Sequence, residues 1–120
     1  MDKPHKKLNV WKESISLVIL IYDLVKRFPK NEEYGLVSQI KRTAISIAGN
    51  IAEGAARQTR REFIQFLYIA RGSISEVDTY FEIASRLGYI PPESIAAIDK
   101  KMMDVDKMLT GLIHSLKRRS

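Results

Sequence analysis

The chain has no cysteine, so neither disulfides nor thiolate metal sites contribute, a composition that suits a reducing cytoplasm. Its longest uninterrupted apolar run, Leu17 to Tyr22, falls far short of the ~20 residues needed to cross a bilayer, and no membrane partner is expected. The leading residues, MDKPHKKLN, are charged and run straight into an amphipathic segment, unlike a signal peptide. There is no strand pattern, low-complexity tract or internal repeat. Gly-rich phosphate loops and nucleophile elbows are missing as well. The two histidines, His5 and His114, have no carboxylate at metal-ligand spacing. Position 111, three before His114, is Gly and not the Glu that a ferritin-like bundle requires. These absences argue against catalysis, and neither a cofactor nor a metal is expected.

What is present is helical periodicity and positive charge. The 120 residues suit one domain with its own core, and the formal net charge of +6 with a pI near 9.7 permits a polyanionic partner. The chain is organised around QIKRTAISIAGNIAEG, residues 39 to 54. Val37, Ile40, Ala44, Ile47 and Ile51 recur at steps of three and four, the spacing of one helix face. Ala44, Ser46, Ala48, Gly49, Ala52 and Gly54 are small enough for neighbouring helices to approach closely. Gly49 costs about 1 kcal/mol against alanine in a helix interior, so a packing reason is expected for it.

Three further helices follow from the same pattern. The first is predicted over about 10–28, with Asn9 as N-cap and Pro29 as the stop. It carries two adjoining apolar stripes. One is Trp11, Ile15, Val18, Tyr22 and Val25, and the other is Leu17, Leu20, Ile21, Leu24 and Phe28. A helix packed only into its own bundle needs one stripe of roughly 100°, so the second implies either another subunit or a wide core face. The central helix is predicted over 33–55, with Asn31 as a cap candidate. Thr59 and Glu62 form a capping box that opens a third helix over 60–87, closed by Gly88. Its seam is Phe63, Phe66, Ala70, Ile74, Val77, Phe81 and Ala84. At 1.5 Å per residue it would span roughly 42 Å, and Gly72 and Ser73 mark a place where it could break. The fourth, over 92–116, starts at Pro92 and repeats Ile95, Ile98, Met102, Val105, Leu109, Leu112 and Leu116. Four helices joined by short turns predict an all-α, antiparallel up-down-up-down bundle.

Several of these runs carry a resemblance. VWKESISLVILIYDLVKRFP, QIKRTAISIAGNIAEG and REFIQFLYIARGSISEVDTYFEIASRLGYI resemble the four-helix bundle family encoded within 23S rRNA intervening sequences. The likeness runs from about Leu8 to Leu116. Its most specific part is Gln39, Arg42, Ser46, Ile47, Asn50, Ile51, Ala52, Glu53 and Gly54, joined by Glu62, Phe63, Phe66, Leu67, Ala70, Gly72, Ser73 and Glu76. The resemblance implies a homo-oligomer, a ring of five subunits, with no established enzymatic activity. A looser relative is the accessory protein of diversity-generating retroelements, a basic pentameric bundle that works with nucleic acid and a reverse transcriptase. Fold transfers along such a likeness better than function does.

Two groups of residues are candidates for a functional role. Gln39, Arg42, Asn50, Glu53 and Glu76 form a polar cluster. Glu76 falls in the row of Ile69, Ser73, Tyr80, Ile83 and Leu87, so a carboxylate in or beside apolar surface with Arg42, Asn50 or Gln39 as partner is expected. It reads as an active-site acid or, preferably, as a device that fixes helix register. The second group comes from topology. In an up-down bundle the N-terminus, the second turn and the C-terminus share one end, which collects Lys3, Lys6, Lys7, Arg57, Arg60, Arg61, Lys117, Arg118 and Arg119. Against these nine stand Asp2, Glu53 and Glu62, a surplus of six that equals the formal charge of the whole chain.

Such a pole points to RNA or DNA phosphates, bound with little sequence preference. The bland reading is a solvated basic tail that serves solubility. Tyr68 could stack on bases, although packing in the core or at an interface is the simpler expectation. A protein-interaction module with incidental charge is the alternative function.

Overall fold

A computed structural model describes residues 1–119 of the chain. Four helices make up the molecule, α1 (Asn9–Val25), α2 (Leu36–Ala55), α3 (Arg60–Arg86) and α4 (Pro92–Arg118), with 3₁₀ turns at Pro4–Lys7 and Lys30–Glu32. No strand occurs among the described residues. Each helix packs against its neighbours in sequence, and α1 also packs against α4, so the four close into a bundle. Paired residues rise along one helix as they fall along the next. Gln39 meets Tyr80 and Ser46 meets Ser73 across α2 and α3, while Arg71 meets Asp106 across α3 and α4. The helices are therefore antiparallel neighbours.

The core is built from the predicted periodic positions. Ile40, Ala44, Ile47 and Ile51 of α2 are wholly inaccessible, as are Ala70, Val77 and Ala84 of α3, but at the start of α3 Leu67, outside the predicted seam, is the buried residue and Phe63 and Phe66 are half-buried. Fully burying one isoleucine or leucine side chain contributes roughly 1.5–3 kcal/mol. Of the second α1 stripe, Leu17, Ile21, Leu24 and, just past the helix, Phe28 enter this core, whereas Leu20 is exposed. Of the other stripe, Val25 is buried, while Trp11, Ile15, Val18 and Tyr22 lie half-buried against α2. Ile113 of α4 is buried where the spacing pointed to Leu112, which is half-buried. Leu109 and Leu116 on either side keep their predicted buried places, so only the order of the steps between them changes, to four and then three.

Helix ends depart from the sequence pattern where turns tighten. Residues 26 to 28 leave α1 early, with the N–H groups of Lys26, Arg27 and Phe28 bonding carbonyls three residues back. Pro29 causes this, because it disfavours α geometry at the preceding residue. Asn9 is the first helical residue and Leu8 occupies the N-cap position. At the start of α2 the cap is not Asn31, which is exposed. Glu32 Oε1 instead accepts the Leu36 N–H at 3.2 Å, and the helix begins three residues later than predicted.

The α3 termini follow the sequence more closely. Thr59 Oγ1 accepts the Glu62 N–H at 3.2 Å and donates to Glu62 Oε1 at 2.9 Å. Gly88 has φ +78°, with Tyr89 N–H bonded to the Ala84 carbonyl and Gly88 N–H to Ser85, a Schellman ending. The helix runs unbroken through Gly72 and Ser73, and the Ser73 hydroxyl donates to the Ile69 carbonyl at 3.2 Å and accepts from Ser46 at 2.7 Å. The molecule's long axis of 47 Å accommodates it.

Candidate nucleic-acid interface

Helix register decides where the cations fall. Arg71 bonds Asp106 at 3.3 Å across α3 and α4. Eleven residues back along α3 and eleven forward along α4 lie Arg60 and Lys117, so the start of α3 is level with the end of α4. The 3₁₀ turn Pro4–Lys7 packs against α1 and α2, and its His5 lines one groove with Trp11, Gly49 and Ala52. The chain's beginning, the α2–α3 turn and the end of α4 therefore share one pole. Lys6 and Lys7 are exposed in that 3₁₀ turn, Arg57 lies just beyond α2, and Arg60 and Arg61 open α3. Arg118 ends α4 and Arg119 follows it, both exposed.

Few of these charges have an acidic partner. Among the described residues the pole holds a single ion pair, Arg57 with Glu53 at 3.6 Å, both partly exposed. The Arg57 guanidinium also lies over the Phe66 ring at 4.8 Å. Lys117 Nζ donates to the Tyr68 hydroxyl at 2.8 Å and sits 5.2 Å from the centre of its ring, which Arg71 approaches at 5.9 Å. Tyr68 is thus not in the core, being 40% exposed. One residue and one pairing escaped the sequence argument. Lys12 is exposed in the first turn of α1, and its neighbour Glu13 meets Lys101 of α4, which sets it below the pole. The pairing of Tyr68 with Lys117 spans 49 residues and leaves no local signature.

Below the pole, the α2–α3 seam explains a glycine. A Cβ on Gly54 would lie 2.7 Å from Phe66 Cβ and 3.0 Å from Phe63 Cδ1, so only a glycine lets the start of α3 close on α2. At Gly49, by contrast, an added Cβ would meet nothing within 4 Å. Among the described residues, the packing reason expected for that glycine is not found.

The polar cluster differs from its prediction. Glu76 is exposed and not buried, because its position in the row faces outward beside the seam. Its Oε2 accepts from the Tyr80 hydroxyl at 3.2 Å, and Tyr80 accepts from Gln39 Nε2 at 3.3 Å. Asn50 donates to the Ser46 carbonyl of its own helix at 2.7 Å, Glu53 pairs with Arg57, and Arg42 is exposed. These five residues therefore share no buried centre. The buried polar contact on the seam is the Ser46–Ser73 hydroxyl pair.

Two grooves flank the bundle. One, of about 480 Å³ between α3 and α4, is lined by Arg71, Asp78, Asp99, Met102 and Asp106. Burial, and then the adjacent Asp78, push the Asp99 carboxyl above the ordinary aspartate value. The other lies between α1 and α2, where Trp11, Ile15, Val18, Ala48, Gly49 and Ala52 form an almost wholly apolar wall. Ile19 and Ile45 beside it are 65% and 52% exposed. Among the described residues no three His, Asp or Glu side chains are grouped to hold a metal ion, and no helix is long and apolar enough to cross a membrane.

The fold defines an all-α protein of four helices with a charged pole and an apolar flank. Residues 6–111 match the sequence profile of the 23S rRNA-intervening sequence proteins, and the chain belongs to that family. A crystal structure of a protein of unknown function from the S23 ribosomal protein family, from Bacteroides thetaiotaomicron VPI-5482, superposes with a TM-score of 0.81. The two chains are 28% identical over 88% of this chain and 95% of the other. No curated protein matches this sequence.

Proposed function

We propose that this protein is a non-catalytic, homo-oligomeric helical scaffold that binds RNA or DNA phosphates through its basic pole. One observation carries the reading. Lys3, Lys6, Lys7, Arg57, Arg60, Arg61, Lys117, Arg118 and Arg119 gather toward one end, with a single ion pair among them in the described residues. Like charges gathered at one place repel, and phosphates that release their own counterions are the matching partner. Arg60 and Arg61 occupy the first turn of α3, where the helix dipole disfavours cations by a few tenths of a kcal/mol. That placement gains nothing for stability and suits an anionic ligand. Contacts led by phosphate give affinity with little base preference.

Titration of labelled single-stranded RNA at two salt concentrations tests the reading. Binding at low salt that weakens steeply with added salt is expected, and a chain that binds no RNA at low salt overturns it.

Self-association rests on the α1–α2 groove, with a second copy of the chain as its occupant. Exposed apolar patches of this kind mark interaction sites, and Gly49 lets another helix approach the groove. Five subunits is the number that the family resemblance implies. Light scattering should give a mass several times the 13.7 kDa chain, and Ile45→Arg should return it to one chain with helicity intact. The same groove favours the alternative, a protein-interaction module without a nucleic-acid role. A pulldown that returns one protein partner after nuclease treatment, alongside failed RNA binding, would select it.

A further inference from the structure

We propose that Tyr68 and Lys117, with Arg71 behind them, form a phosphate site on the α3–α4 flank. There it would seat a backbone phosphate of an RNA strand that leaves the basic pole. The inference rests on the polyanion reading above and names a specific anchor for it.

The argument begins from the hydrogen bond between the two side chains. Lys117 Nζ donates one proton to the Tyr68 hydroxyl at 2.8 Å, which uses that oxygen as an acceptor. No acceptor for the phenol's own proton occurs among the described residues, so the O–H remains available. Two ammonium protons of Lys117 remain as well, and no carboxylate among the described residues lies in ion-pair range of it. An O–H and an N⁺–H whose heavy atoms are 2.8 Å apart can reach two oxygens of one phosphate, and such charge-assisted bonds are the strong kind.

Position matters as much as chemistry. A surface lysine normally gives up rotamer freedom when it binds. Here the Tyr68 hydroxyl already holds the Lys117 ammonium at 2.8 Å, at the edge of the ring and 5.2 Å from its centre. Arg71 adds a second cation 5.9 Å from that ring and fixes it with Nε bonded to Asp106 at 3.3 Å. Asp106 neutralises part of the Arg71 charge, so Lys117 and the phenol carry the binding. Lys6, Lys7, Arg118 and Arg119 make no such contact among the described residues, and each must be ordered by the ligand.

Two probes read the site separately, with helicity of each variant checked by circular dichroism. Fluorescence anisotropy with a labelled single-stranded RNA at low salt should show Lys117→Ala weakening binding about tenfold. Tyr68→Phe, which keeps the ring and loses the O–H, should cost about threefold, and Arg118→Ala no more than about twofold. Titration with inorganic phosphate, followed by amide NMR, should shift Tyr68 and Lys117 in the unaltered protein and leave them still in Lys117→Ala. Equal losses for Lys117→Ala and Arg118→Ala, with RNA still bound, overturn this site and leave the polar reading standing. Loss of RNA binding with the phosphate shifts retained rejects the RNA reading and assigns the site to small phosphates. Absence of both signals rejects both.

Discussion

The two poles of the bundle are closed by opposite means. At the far pole, polar side chains find one another across the turns. Glu32 takes the Leu36 N–H and the Tyr89 hydroxyl, the latter at 2.7 Å, and so ties the α1–α2 connection to the end of α3. Phe28 meets Phe81 edge-on and Tyr89 at a tilt beneath it, and three of the cations there have partners: Lys26 with Asp23, Arg86 with Glu82 and Arg27 with the Ser94 hydroxyl. At the basic pole, closure comes from fit, with Gly54 letting Phe63 and Phe66 seat against α2. The charges there are left to solvent or to a ligand. A pole whose polar groups satisfy each other has little left to offer a partner, whereas one held by packing keeps its donors free.

The comparison can be broken most sharply at Gly54. A methyl group there must displace Phe66 Cβ and Phe63, so Gly54→Ala should destabilise by about 1–3 kcal/mol in chemical denaturation. An unchanged midpoint would mean that packing does not close this pole. Next comes the charge itself. Arg57, Arg60 and Arg61 changed together to Ala should weaken RNA binding at least about tenfold at low salt. The log–log salt slope should also fall by about 2, as three lost phosphate contacts on a single strand require. Unchanged affinity would make the two poles equivalent for ligands.

The smallest effect belongs to the far pole. The Tyr89 hydrogen bond, and after it the Leu36 N–H, hold the Glu32 carboxyl below its ordinary value of 4.5. A lowered folded value means that Glu32 stabilises the fold above that pH and loses the contribution as pH falls through the folded value. Glu32 correspondingly raises the Tyr89 hydroxyl above 10.0, so stability should also decline as pH rises past that point. Thermal melts of Glu32→Gln should therefore show a shallower acid decline than the unaltered protein. Identical acid limbs would show that this bond does not lock the pole.

Much of the fold was legible because helix periodicity is local. The steps of three and four in α2 named residues that proved fully buried, and Thr59, Gly88 and Pro92 marked ends that the structure keeps. What escaped depends on distant partners. Asn31 was a reasonable cap by type, but Glu32 took the role because Tyr89, 57 residues away, orients its carboxylate. Glu76 sat in an apolar row, yet the row faces outward, and a one-dimensional pattern cannot tell a core stripe from an exposed one. The pole was legible from topology alone, while the hold of Tyr68 on Lys117 required the register between α3 and α4. Gly49 and Gly54 look alike in sequence, and only the neighbouring helix distinguishes them.

Because residues 3–7 and 117–119 carry cations of the charged end, anything fused beside either stretch will overhang the face proposed to meet RNA. An affinity tag or fluorophore fused there would shield that face and make the protein look inert. Tyr34, 92% exposed in the turn at the opposite end, offers an attachment point some way from it. A dye or surface linkage placed at that turn would present the charged end outward to its ligand.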